Sequence, residues 1–251
     1  MRERAGLATR DSVTVPAALL GLAAVGWWWS MRMTGRMERS MSMDMTAVSV
    51  SVSAFMVAWV AMMGAMMFPA IIPAVRLYSR AAGTRRVAPT PLFVAGYLLV
   101  WSSIGIPTYF AWRTLDGPIR AGAPWAGRLA GSVFIAAAIY QLTPLKAACL
   151  RHCRSPMSFF LHQRSNLSRP VGALRAGSTH GLICLGCCWA LMAVLITLGT
   201  MQIWWMLGFA AFIFAEKVTV VGERLASLTA AGLGTAGLFL LISPHLITRL
   251  T

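Results

Sequence analysis

Charge is scarce in this chain, and acid scarcest of all. Charged residues make up 12% of the 251 positions and only seven residues are acidic, against a hydrophobic fraction of 58%. A soluble domain carries about a quarter of its residues charged, so a soluble globular protein is excluded. Alternating strands are absent, which excludes a transmembrane β-barrel. No Gly-x-x-x-x-Gly-Lys segment occurs, nor a strand–helix context for one, so a phosphate-binding loop is excluded. A Ser-His-Asp set, a His-Glu-x-x-His motif and a haem-attachment motif are also missing. His162 and His245 stand alone and read as interfacial residues.

Long apolar runs fill the space that these absences leave. Runs long enough to cross a bilayer lie near 13–29, 47–75, 91–112, 127–148, 179–199, 202–221 and 225–247. They predict an all-α fold: a polytopic transmembrane bundle of about seven helices, forming a single integral membrane domain over 1–251 with the lipid bilayer as its first partner. Arg2, Arg4 and Arg10 precede the first run, but no small-residue cleavage site follows Trp27-Trp28-Trp29. A retained helix is therefore expected, rather than a removed signal peptide.

The net charge of +15 would suit a nucleic-acid binder, but its distribution does not. Lys and Arg sit in the connections between runs, as positive-inside topology requires. With a cytoplasmic N terminus, fifteen basic residues fall on the inner side, among them Arg76, Arg80, Arg85, Arg86, Arg151, Arg154, Arg164, Arg169 and Arg175. Seven fall outside: Arg32, Arg36, Arg39, Arg113, Arg120, Arg128 and Arg249. This bias predicts an inner-membrane protein of bacterial type with its N terminus in the cytoplasm, its C terminus outside and no nucleic-acid partner. Trp27, Trp28, Trp29, Trp112, Trp125, Trp204 and Trp205 would then form an aromatic belt near the outer interface.

The chemistry-bearing residues are clustered. All five cysteines lie within 149–188: Cys149 and Cys153 flank His152, and Cys184, Cys187 and Cys188 follow His180. At about 100° per residue, His180, Cys184, Cys187 and Cys188 share an arc of roughly 100° on one helix. Ser155-Pro156 would end any helix carrying Cys149 to Cys153. A single buried cysteine in a membrane helix is an ordinary small hydrophobe; five together, with histidines interleaved, point to soft-metal or redox chemistry. Their predicted cytoplasmic side keeps thiols reduced and argues against a disulfide scaffold.

Methionine is concentrated too. Met31, Met33, Met37, Met41, Met43 and Met45 crowd the first outer connection, and Met56, Met62, Met63, Met66 and Met67 follow in the second run. Methionine can simply fill gaps in an apolar core, which would account for the second run. In a polar, Arg-containing loop it has no such use, whereas a thioether binds Cu(I) where thiols would be lost to disulfides. A ladder of soft ligands could run from the loop, along Met62 to Met67, to the inner thiols. Gln141, Thr143 and Lys146 surround Pro144, which frees a carbonyl inside the membrane. Glu216-Lys217 interrupts an apolar run and returns to roughly the depth of Cys184. Intramembrane ionisable groups are functional candidates, the alternative being a structural pair of Glu216 with Lys146 or Lys217. Gly172, Gly177 and Gly181 are expected to loosen the fourth connection, and Gly232, Gly234 and Gly237 to allow close helix packing.

Three segments carry a family resemblance: Met62–Pro69, Tyr140–Pro156 and Gly181–Trp189, with the later Glu216-Lys217. The chain resembles, over about 45–225, a bacterial family of predicted metal-binding integral membrane proteins, domain of unknown function 2182. The resemblance implies metal binding without implying an activity. That family usually has Cys rather than His within the core of the second segment, so the resemblance supports Cys149 and Cys153 ahead of His152.

The sequence thus predicts a membrane protein that binds a soft transition metal, Cu(I) first and Zn or another soft metal second. The candidate ligands are Cys184, Cys187, Cys188, Cys149, Cys153, His180, His152, Met62, Met63, Met66, Met67, Met41, Met43 and Met45, supported by Glu216, Lys146 and Gln141. Uptake, transfer or supply of the metal is the expected role, with a metallochaperone or another membrane subunit as partner. A membrane thiol oxidoreductase and a non-catalytic subunit are the alternatives; no catalytic residue is assigned. The orientation is directly testable. Reporter fusions at Arg169 and Gly35 should give opposite signals, cytoplasmic and periplasmic respectively, and a periplasmic signal at Arg169 would reverse the topology.

Overall fold

The computed structural model describes residues 14–32, 51–82, 89–154, 169–198, 202–219 and 221–250. Every regular element among them is helical. In chain order they are α1 (Thr14–Arg32), α2 (Val52–Ala82), α3 (Pro89–Arg120), α4 (Pro124–Gln141), α5 (Pro144–Arg154), α6 (Pro170–Leu198), α7 (Ile203–Val218) and α8 (Gly222–Ile242). A 3₁₀ turn at Pro244–Leu246 and one last helical turn, Ile247–Leu250, end the bundle. The Met33–Met45 loop lies outside the described residues.

Five helices, α1, α2, α3, α6 and α8, are long and apolar enough to cross a membrane. The bent pair α4–α5 can supply a sixth span. Two expected spans take a different form. The run 127–148 breaks after Gln141, and α5 leaves α4 at 66°. Proline explains the break: Pro144 has no N–H to donate and disfavours a helical Thr143. Thr143 then serves both sides, donating its hydroxyl to the Tyr140 carbonyl at 2.7 Å and accepting the Lys146 N–H at 3.3 Å as an N-cap. The run 202–221 becomes a helix of 16 residues, about 24 Å long and short of a hydrocarbon core of about 30 Å.

α6 is the centre, packed against α3, α4, α5 and α7, while α8 lies along α4 and α1 along α2. α6 starts further upstream than the apolar run alone indicates, so Gly172 is helical rather than a loop residue, as are Gly177 and Gly181. Their use is close approach. A Cβ on Gly177 would overlap the Phe93 carbonyl oxygen, well inside van der Waals contact distance, and one on Gly96 would overlap the Leu174 carbonyl oxygen in the same way. α3 and α6 thus meet backbone to backbone, as small residues permit in membranes. Gly131 and Gly237 give α4 and α8 a similar contact, whereas Gly232 faces open space. At one end Phe55 stacks on Trp112 with ring centroids 5.5 Å apart, and Arg32 lies 4.9 Å over Trp28.

The α4–α5 break is pinned by a buried ion pair. Lys146 Nζ donates to Glu216 Oε2 of α7 at 2.8 Å and to Gln141 Oε1, while Gln141 Nε2 donates to Glu216 Oε1 at 3.3 Å. Lys146 is 1% exposed and Glu216 2%, so neither can fall back on water.

Two stability outcomes follow from this packing. Gly177→Ala should destabilise the bundle by about 1–3 kcal/mol through overpacking, while Gly232→Ala should be neutral or gain the helix propensity of about 1 kcal/mol. Equal melting temperatures for the two variants would contradict the α3–α6 contact. Glu216→Gln should cost about 3–5 kcal/mol, because it strands the Lys146 ammonium, and combining Glu216→Leu with Lys146→Met should recover most of that loss. A double variant as unstable as either single one would show that the pair is not the source.

Candidate metal centre

Two helices build the thiol site, and three more close it. α6 presents Cys184, Cys187 and Cys188, all buried, because their spacing keeps them on the face turned into the bundle. α5 brings Cys153, half-buried, onto that face from across the break. The Sγ atoms of Cys153, Cys184 and Cys187 all lie within 4.8 Å of one another. Sulfurs bound about 2.3 Å from one ion are at most about 4.6 Å apart, so this trio is already near ligating separation. No disulfide forms; all five cysteines are free thiols. The α6 thiols are oriented by their own helix, Cys187 and Cys188 donating to the Cys184 carbonyl at 3.1 and 2.9 Å.

α7 contributes Lys217, buried, with Nζ 3.0 Å from Cys184 Sγ and 3.8 Å from Met67 Sδ of α2. α3 contributes Tyr97, whose hydroxyl lies 3.1 Å from Cys184 Sγ. Cys184 therefore sits between an ammonium, a phenol and two further thiols. A thiolate held there has donors and positive charge at hand, which is what a metal-binding sulfur requires.

The remaining predicted residues are distributed around this centre. Cys188 is buried one position beyond the trio and does not join it. Cys149 is half-buried against Gly186, so close that a Cβ there would sit 2.8 Å from its Sγ. His180 is buried with its ring 5.9 Å from Phe93 and 6.2 Å from Tyr97, outside the group of converging donors. His152 is exposed, its Nδ1 2.9 Å from the Ala148 carbonyl of its own helix. Met62, Met63 and Met66 are buried in the core beside Met67. Met41, Met43 and Met45 lie outside the described residues. Gln141, Lys146 and Glu216 form the pin next to the site, Glu216 being the residue before Lys217.

Two site residues escape a reading of the sequence. Lys217 is visible as a charge in an apolar run, but its neighbour Glu216 offers a simpler partner than a cysteine on another helix. Tyr97 carries no signal, since an aromatic in an apolar run is ordinary until α3 packs it on Cys184.

No curated protein and no solved structure matches the chain. A family model does: that of PpoB2, described as a copper chaperone, matches residues 56–240 and so spans α2 through most of α8, including every thiol and both buried lysines. The match covers most of the chain, which belongs to the PpoB2 copper chaperone family.

Proposed function

We propose that this protein binds Cu(I) within the membrane at the thiol trio of Cys153, Cys184 and Cys187, which offers more donors than a two-coordinate ion needs, and acts in the uptake, transfer or supply of copper to another protein. The observation that carries the reading is the convergence of three free thiols from two helices to within 4.8 Å. Thiolate and thioether donors together select a soft monovalent ion. A closed Zn(II) site takes four ligands, and among the described residues three metal-ligating side chains converge, not four. Family membership supports copper as the cargo.

Around that centre we place the finer features of the reading. The protein sits in a bacterial inner membrane with its N terminus in the cytoplasm, on the charge bias of its connections. Met41, Met43 and Met45 capture copper on the outer side, and the methionines of α2 lead inward to Met67, which already lies beside Lys217. Cys149 and Cys188 flank the trio as exchange ligands. A soluble metallochaperone or a second membrane subunit takes the ion on. The segments Tyr140–Pro156 and Gly181–Trp189 tie the chain further to the predicted metal-binding membrane proteins they resemble.

The test is direct. The reduced, purified protein should bind one Cu(I) per chain in competition with a chromophoric Cu(I) chelator. Replacing Cys153, Cys184 and Cys187 by serine should lower the affinity by more than the roughly 100-fold typical of losing an outer-shell partner. Helical content should be retained, since a serine hydroxyl can donate to the preceding turn's carbonyl as the Cys187 thiol does. Unchanged copper stoichiometry in the triple variant would sink the assignment.

A further inference from the structure

Lys217 is, among the described residues, the buried cation that no carboxylate faces. Among the described residues the acids are Asp116, Glu216 and Glu223, and each has a basic partner: Arg120 at 3.0 Å, Lys146 at 2.8 Å and Arg151 at 3.7 Å. Lys217 points elsewhere, to Cys184 Sγ and Met67 Sδ. It is 6% exposed, and a buried ammonium must face compensating negative charge. What faces it is sulfur.

Resting on the copper reading above, we propose that Lys217 determines which ion the site accepts: its ammonium is the fixed counter-charge of the metal complex and selects a monovalent ion held by two thiolates. Binding forms two metal–sulfur bonds, with the thiol protons released to water and no change of oxidation state. Cu(I) between two thiolates carries a net charge of minus one, and Lys217 brings the sum to zero inside an apolar bundle. A divalent ion on the same two thiolates leaves an uncompensated positive charge. Drawing in the third thiolate would restore neutrality for Zn(II), but it leaves that ion one donor short of the tetrahedral set it takes. With a monovalent ion the third thiol of the trio stays available for ligand exchange, as a protein that passes its cargo on requires. Lys146 cannot substitute, because Glu216 already holds it.

The experiment uses the full chain in lipid nanodiscs and compares Lys217→Met with Lys217→Arg. Affinities for Cu(I) and Zn(II) are measured separately against chromophoric chelators. Lys217→Met should weaken Cu(I) binding by about 10–100-fold, the range for loss of an outer-shell partner, and should leave Zn(II) binding unchanged or stronger. Lys217→Arg, which keeps the charge, should retain most of the Cu(I) affinity. X-ray absorption of the copper-loaded wild-type protein should show two sulfur ligands, a result that does not depend on any variant folding. Wild-type Cu(I) affinity in Lys217→Met, equal losses for both metals, or three or four sulfurs around copper would each overturn the role of Lys217 while leaving copper binding standing. Failure of the wild-type chain to bind Cu(I) at all would overturn the copper reading itself.

Discussion

A buried ammonium has to be faced by negative charge, and among the described residues the supply of buried carboxylate runs out before the supply of lysine does. Two lysines are buried beside one glutamate. Glu216 satisfies Lys146, and the next residue along α7, Lys217, is handed to the thiols of α6. The penalty for leaving either ammonium uncompensated is several kcal/mol, a large share of the roughly 5–15 kcal/mol that holds a typical domain together. The thiol cluster is therefore what a buried charge of the fold faces, as well as the candidate metal centre. Through these two cations α7 is tied to both α5 and α6.

The geometry of α7 makes this possible. Glu216 and Lys217 are adjacent, so their side chains leave the helix about 100° apart, one toward α5 and one toward α6. α7 is too short to cross a bilayer on its own and ends almost at once, at Val218. Gly222 then starts α8 hard against the Glu216 carbonyl, where a Cβ would have no room. The tight turn keeps the Glu216-Lys217 pair at the level of the thiols instead of letting it drift toward water. Thr143 has a comparable role at the α4–α5 break, capping α5 so that Lys146 and Cys153 are presented two turns apart on one short helix.

Much of this is legible in the residues, because it rests on short-range periodicity. The spacing of Cys184, Cys187 and Cys188 places them on one helical face. The depth of Glu216 follows from counting along α7, and its pairing with Lys146 is one of two structural partners in view. What cannot be read depends on contacts between distant segments. Gly177 looks like a loop residue because its use appears only when Phe93 of α3 arrives beside it. Pro144 visibly frees a carbonyl, yet the amount of bending it causes depends on the α7 carboxylate that draws Lys146 inward. Lys217 reads as structural for the same reason: its partner, Cys184, is local to nothing in its own sequence neighbourhood.

Access orders the three thiols. Cys184 and Cys187 are buried among α3, α6 and α7, and Cys153 is half-buried near the end of α5. The last turn of that helix carries Arg151, His152 and Arg154, with Arg151 reaching Glu223 at 3.7 Å across two exposed side chains. On the copper reading proposed above, an ion bound to Cys184 would reach the surface of the bundle by way of Cys153 over a distance of one sulfur-to-sulfur step. Ligand exchange between neighbouring thiolates needs no free ion and no water in the apolar interior, where a bare cation would be costly. The same low dielectric that sets Lys217 against sulfur would thus, on that reading, also favour moving an ion from thiol to thiol, with the half-buried cysteine of α5 as the point where the buried cluster meets its surroundings.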